Sequence, residues 1–450
     1  MLIPVRSAVA RLGAFAMLAA GCHAAVAPGM AVSLAPAADT TILRQDVNYL
    51  ASDALAGRLT GTPGNDSAAA FIARRYAALG LQPLAVHPDS ICDTPASTHA
   101  RFACASAYLQ PFSATSVAAI HAGLAAALPS QNVVAMVRGS DPALRDEYVV
   151  IGAHFDHLGR STFGAMDPEA GDVIRHGADD NASGTAAVME LARLFVRHPA
   201  RRSIVFANFS GEELGLLGSE YFVEHSPVPV SRIQAMMNFD MVGRMRNNRL
   251  IVYGVGTATE LPKLVDSANI APAFQLTAIG DGFGPSDQSS FYADSVPVLH
   301  FFTDIHEDYH RATDVAAKVD VADEARVVNF AARIARALAD RPVRLTYVRT
   351  APPPHMATAG NTSVYFGSIP DMAAADVTGV RMAGVTPGGP ADQAGVRKGD
   401  IIVQFGGVPV KDLYAYTDAL RAHAPGDSVA VVVLRGTDRL TLTAVLGARQ

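Results

Sequence analysis

The chain contains no tryptophan, three cysteines and four lysines (Lys263, Lys318, Lys398 and Lys411), so arginine carries almost all of its positive charge. No basic block occurs and the net charge is -6, which leaves nucleic-acid binding without electrostatic support. No run is long and apolar enough to span a bilayer as a mature helix. No internal repeat is visible, which argues against a solenoid. What remains is a chain of 450 residues, half of them hydrophobic, long enough for two or three folded units.

The first residues read as an export signal. Arg6 and Arg11 precede a short apolar run, Leu12 to Ala20, and then Leu18-Ala19-Ala20-Gly21-Cys22. Small residues before a cysteine resemble a bacterial lipoprotein cleavage site, with Ala19 in place of the favoured leucine; ordinary cleavage near Ala24 is the alternative. Cys22 would then be the lipid anchor and the sole link to a membrane, and the protein would face the periplasm. Cys92 and Cys104 form the remaining even pair, which an oxidising compartment would allow to bridge. The expected organisation is export signal 1–22, tether 23–39, main domain 40–342, Pro-rich linker 343–362 and a small terminal domain 363–450.

Within 40–342, Thr40 or Thr41 is expected to cap a first helix, and Ala68, Phe71, Ile72, Tyr76 and Leu79 mark a second that Gly80 stops. From 131 onward strands alternate with helices: strands at 132–137, 148–153, 203–209, 233–238, 250–253 and 296–302, helices at 185–197, through Leu217 and Tyr221, and at 323–339. The expected fold is α/β, a central mixed, largely parallel sheet flanked by helices. His154, the pair Glu212-Glu213 and Asp240 each fall just past a strand's carboxyl end, the edge where open α/β sheets bind ligands.

Carboxylates and imidazoles converging on one edge are what divalent metals require, and paired catalytic metals share a bridging carboxylate. The candidates are His154, Asp179, Glu213, Asp240 and His310. Asp156, two residues after His154, could accept the imidazole's second N–H. Glu212, beside a ligand, could act as general base. Taken singly, each has an ordinary explanation: acids cap helices, and Glu212-Glu213 suits a helix start. His157, His176, His300 and His306 read as structural or solvent-facing.

Five segments in order resemble the di-zinc aminopeptidase family that includes bacterial leucyl aminopeptidases, aminopeptidase Y and glutamate carboxypeptidase II. They are Gly152-Ala153-His154-Phe155-Asp156-His157, Gly177-Ala178-Asp179-Asp180-Asn181-Ala182-Ser183-Gly184, Ser210-Gly211-Glu212-Glu213-Leu214-Gly215, Asn238-Phe239-Asp240-Met241-Val242 and Tyr309-His310-Arg311-Ala312-Thr313-Asp314. Weaker matches are Gly57-Arg58 and Ser286-Asp287-Gln288, the latter departing from the family's usual Ser-Asp-His. The resemblance implies two zinc or other divalent ions, one on His154 and Asp240, one on Glu213 and His310, with Asp179 shared. It further implies Glu212 as base, Asp156 as orienter of His154, Tyr309 at the oxyanion, and a cis peptide between Asp179 and Asp180.

The resemblance also implies removal of N-terminal residues from peptides. Other amide hydrolases and carboxypeptidases share such a fold, as does glutaminyl cyclase, where a tryptophan precedes the last metal histidine; this chain has Tyr309 there. A non-catalytic binding protein, like the transferrin-receptor relatives, is the alternative outside enzymes. His306-Glu307-Asp308-Tyr309-His310 also fits H-E-x-x-H, which requires a helix.

The terminal domain is β-rich, with Pro387-Gly388-Gly389-Pro390-Ala391, Ala394-Gly395 and Gly399-Asp400-Ile401, a helix at 412–422 and a strand from Ser428 to Leu434. It resembles a bacterial protease-associated PDZ domain. The implied carboxylate-binding loop is Tyr365-Phe366-Gly367-Ser368-Ile369, which would receive a peptide C-terminus by adding a strand.

Overall fold

A computed structural model describes Met1 and residues 37–84, 107–114, 128–282 and 286–350, then 364–370, 378–385, 388–411, 415–416, 419–420 and 422–448. The export signal, most of the tether, all three cysteines and most of the expected helix 412–422 lie outside the described residues.

The larger part is one nine-stranded sheet. Its strands are β1 (Gln82–Pro83), β2 (Leu109–Ala114), β3 (Leu128–Val137), β4 (Tyr148–His154), β5 (Ser203–Phe209), β6 (Ile233–Phe239), β7 (Arg249–Tyr253), β8 (Gln275–Ala278) and β9 (Val298–Phe302). They lie in the order β1-β3-β5-β4-β6-β9-β7-β8, with β2 paired to β3. The centre, β5-β4-β6-β9, is parallel. Flanking pairs β3 to β5 and β7 to β9 are antiparallel. The sheet is therefore mixed with a parallel heart, as the alternation of strands and helices implied.

Both faces are covered, which is why the central strands are buried along their length and mostly apolar rather than apolar on alternate residues. Val149, Ile151 and Ala153 of β4 point into a core with helices 40–50, 63–79, 184–197 and 321–340; Val150 points the other way, toward Phe222 and Phe291 of helices 217–224 and 288–293. The first helix is capped not by Thr40 or Thr41 but by Asp39, whose carboxylate accepts from the N–H groups of Thr41 and Ile42. No described helix is long and apolar enough to cross a membrane.

Because the central strands run in parallel, β4, β5, β6 and β9 all end at one edge. That edge receives His154, the turn Ser210-Gly211-Glu212-Glu213, and Asp240. Residues expected in the linker return to the same unit: Val348 N–H donates to Thr257 O (2.9 Å) and Thr350 N–H to Tyr292 Oη (2.7 Å).

The C-terminal part is a six-stranded antiparallel sheet with its own core around Phe366, Phe405, Val431 and Val433. Among the described residues its strand Ser368–Pro370 pairs only with Val380–Val385 and so forms an edge. Gly367, just before it, has φ +78°, a left-handed turn that glycine adopts without strain. Across that edge the Ser368 Oγ and Tyr416 Oη lie 2.5 Å apart.

Candidate metal centre

The turn between Gly177 and Gly184 lies at the middle of the strand-end crevice. Gly177 is left-handed (φ +60°), and Gly184 packs so closely on Phe239 O and Asn181 Oδ1 that a Cβ would collide. Asn181 ties the turn to β6: its Nδ2 donates to Phe239 O (2.9 Å) and its Oδ1 accepts from Met241 N–H (3.3 Å). Asp314 accepts the backbone N–H groups of Asp179 (3.0 Å) and Asp180 (3.1 Å). Arg58, fully buried, donates to Leu50 O, Phe155 O, His176 O and Gly177 O, clamping the His154 loop to this turn.

These restraints present Asp180, not Asp179, to the crevice. The Asp180 Oδ1 lies 3.4 Å from His154 Nε2, which is 3.4 Å from Asp240 Oδ1. The Asp180 Oδ2 lies 3.1 Å from His310 Nε2, which is 3.2 Å from Glu213 Oε2. One carboxylate thus faces two ligand sets, one with each oxygen. Asp179 is turned away: its Oδ1 accepts from Gly243 N–H (2.7 Å) and Ser183 Oγ (2.9 Å), and its Oδ2 lies 3.1 Å from His306 Nε2. The cis peptide likewise falls one residue later, at Asp180-Asn181. The expectation for the adjacent acids is therefore reversed, because neighbouring side chains leave a tight turn in different directions.

Second nitrogens fix the imidazoles. His154 Nδ1 lies 3.3 Å from Asp156 O and 3.6 Å from its Oδ1. Asp156 is itself held by Thr60 Oγ1 (3.0 Å) and the Glu212 N–H (3.2 Å). His310 Nδ1 donates to Gly164 O at 2.8 Å. Each arrangement leaves Nε2 facing Asp180, the pattern by which a neighbour selects the ligating nitrogen. His157, expected to be structural or exposed rather than a ligand, is buried beside the centre, with its Nδ1 2.8 Å from Glu213 Oε1. Its place three residues after His154 was the only signal.

The donor set fits divalent ions. Two ligands ~2.0–2.2 Å from one tetrahedral ion lie ~3.3–3.6 Å apart, close to the separations above. Buried His154 Nε2 and Asp240 Oδ1 have no hydrogen-bond partner among the described residues, which is costly unless a cation lies between them. Electrostatics agree. Burial opposes charge on His154, but Asp240 and Glu212 outweigh it and push the imidazole well above its ordinary value. Burial also opposes charge on His310, and Glu213 with Asp180 outweighs it in the same way. Burial pushes Glu212 well above the carboxylate range, with Glu213 and Asp240 adding to the rise. Crowded acids that draw protons onto both imidazoles mark a place that stabilises positive charge.

Tyr309 stacks on His310, ring centroids 3.9 Å apart, and burial with the nearby acids raises its hydroxyl well above the usual value. His300 sits between Tyr253 and Phe302, and burial pulls it down to about 4. Residues 307–310 form turns rather than a helix, and Glu307 is exposed beside Arg244, so H-E-x-x-H has no helical face on which to work.

Residues 132–335 match peptidase family M28, and residues 356–446 match the PDZ domain family. A probable zinc metalloprotease of Pyrenophora teres f. teres is 37% identical over 114 residues, 25% of this chain and 23% of that protein. A probable leucine aminopeptidase 2 of Aspergillus oryzae is 29% identical over 181 residues, 38% of this chain and 33% of that protein. The chain thus spans about a quarter to a third of the curated relatives it matches. Among solved structures, Porphyromonas gingivalis glutaminyl cyclase superposes with a TM-score of 0.51 at 16% identity, covering 66% of this chain and 97% of that one. At that identity the likeness is one of fold, so the fold does not by itself separate hydrolysis from cyclisation.

Proposed function

We infer that this chain, which belongs to peptidase family M28 and carries a C-terminal PDZ domain, is an exported di-zinc aminopeptidase. The observation that carries the reading is Asp180, whose two oxygens each face a separate imidazole and carboxylate. His154, Asp240 and Asp180 would hold one ion, and Glu213, His310 and Asp180 the other. When bound, such a pair supplies Lewis acidity toward a carbonyl and lowers the pKa of water.

The chain's own groups do the rest. Glu212, half-buried beside these ligands and with its pKa raised by desolvation and its acidic neighbours, would take a proton from the attacking water and return it to the leaving amine. Asp156 keeps His154 in the tautomer that leaves Nε2 free. Tyr309, over His310, is the candidate donor to the oxyanion. Met241, directly after Asp240, and Tyr309, directly before His310, belong to one apolar cluster with Ile251, Tyr253 and Phe302. That supports an apolar N-terminal side chain, in keeping with the leucine aminopeptidase name of the Aspergillus protein.

The PDZ domain would receive a peptide C-terminus at Phe366, Gly367, Ser368 and Ile369, through the free edge of Ser368–Pro370. The export reading rests on residues 1–22, with Cys22 as lipid anchor. Hydrolysis of free and N-blocked peptides, with and without chelator, tests the activity. Chelator-sensitive release of free N-terminal residues is expected. Cleavage of blocked peptides at internal bonds, or cyclisation of N-terminal glutamine without hydrolysis, would overturn it.

A further inference from the structure

His310 is the ligand with the least regular support. It lies on a turn, follows no strand directly, and has φ +53°. What holds it comes from elsewhere in the chain, the segment 158–176 between β4 and the Asp180 turn. A bridge between Gly159 and Arg175 closes this segment into a loop. Three contacts then fasten the loop to the His310 turn. His310 Nδ1 donates to Gly164 O (2.8 Å), Met166 N–H donates to His310 O (2.9 Å), and Ala312 N–H donates to Asp167 Oδ2 (2.9 Å).

The loop in turn hangs on one buried pair. Arg175 has no exposed surface, and its Nε donates to Asp167 Oδ1 at 2.6 Å. Arg175 Nη2 donates to Asp167 O (2.8 Å) and Nη1 to Ser161 O (3.1 Å), so one guanidinium spans both limbs of the loop. A planar fork meeting a carboxylate and carbonyls at once is a restraint that a lysine does not reproduce.

We propose that Asp167, gripped by Arg175, is a positioning residue for the second ion: it holds the loop whose Gly164 carbonyl fixes the His310 imidazole with Nε2 toward Asp180 and Glu213. His154 needs no such device, because it closes β4 and its own Nδ1 turns to Asp156. The pair therefore acts on one half of the centre. This rests on the reading that Glu213 and His310 hold an ion.

The test is zinc content of the purified full chain by elemental analysis after equilibration in chelator-buffered zinc, alongside thermal melting. Wild type should hold two zinc ions per chain. Asp167→Asn should keep the first and weaken the second roughly 10–100-fold, the usual effect of losing a partner that orients a ligand. Combined with His154→Ala, it should leave almost no zinc, because the two changes strike different halves.

Asp167→Asn strands a buried guanidinium and could impair folding. Asp167→Ala with Arg175→Met removes both charges, which commonly restores stability, but leaves the Ala312 N–H without its acceptor. That variant should melt near wild type and still lose the second ion. If it folds and binds two ions with unchanged affinities, the proposal is overturned while the metal reading stands. If wild type itself binds no divalent ion, both fall together.

Discussion

The two halves of the centre are built differently from the same kinds of residue. His154 and Asp240 sit at the ends of adjacent parallel strands, so the sheet's own hydrogen bonds place them; Asp240 N–H even continues the ladder to Phe301 O at 3.2 Å. Glu213 lies in a turn beyond β5, and His310 lies in a turn with no strand directly before it. That half is assembled by side-chain and loop contacts: His157 on Glu213, and the 158–176 loop on His310. A backbone-built half should tolerate distant substitutions, whereas a contact-built half should fail whenever one contact is removed. Asp180 alone belongs to both.

The largest expected effect lies at that shared residue. Asp180→Ala should reduce zinc from two ions to fewer than one and lower hydrolysis beyond the loss of any single ligand; two ions retained would remove Asp180 from the centre. Asp179→Asn should keep both ions and instead cost about 1–3 kcal/mol in denaturant unfolding, since it disturbs a buried carboxylate that Gly243, Ser183 and His306 satisfy.

Next is Glu212→Gln, which should lower turnover by roughly 10²–10⁴ while both halves stay filled. Loss of metal there would make Glu212 a ligand and blur the division between the halves.

Smaller, and confined to the second half, is His157. Its 2.8 Å contact with Glu213 is a hydrogen bond, shorter than the separations between the ligands that face Asp180. His157→Phe should weaken the second ion roughly 10–100-fold, and His157→Gln, which can still donate, should recover part of it. Equal loss of both ions would end the asymmetry.

Smallest is a site on neither half. Asp46 on helix 40–50 is pushed up to about 6 by burial, although Arg75 lies 2.8 Å away. Its folded pKa exceeds the unfolded value, so the folded state binds more protons between about pH 4 and 6. Stability should therefore fall as pH rises through that window and level off above it. Asp46→Asn should flatten the fall and gain up to roughly 2 kcal/mol at pH 7, read from urea midpoints, with zinc content unchanged.

What was legible before the structure follows the same division. Val149, Ile151 and Ala153, or Ile204, Val205 and Phe206, announce buried strands by unbroken hydrophobicity, and a ligand one residue past such a run is placed by strand geometry alone. The Asp179-Asp180 assignment failed because periodicity ends at a turn: which of two adjacent acids enters the crevice depends on Asn181, Asp314 and Gly184, which come together only on folding. The partner of His157 is hidden for a related reason, since a histidine's role depends on what faces it and Glu213 is 56 residues away.

The order of strands and helices, the residue types able to hold divalent ions, and the terminal domain's turn chemistry are therefore properties of the sequence, because they depend on local spacing and on groups within a few residues of each other. The division of labour between Asp179 and Asp180, the enlistment of His157 and the clamping of His310 by the 158–176 loop belong to the tertiary structure. Each depends on hydrogen bonds between segments far apart in the chain, whose directions exist only once the parallel strands have brought their ends to one edge.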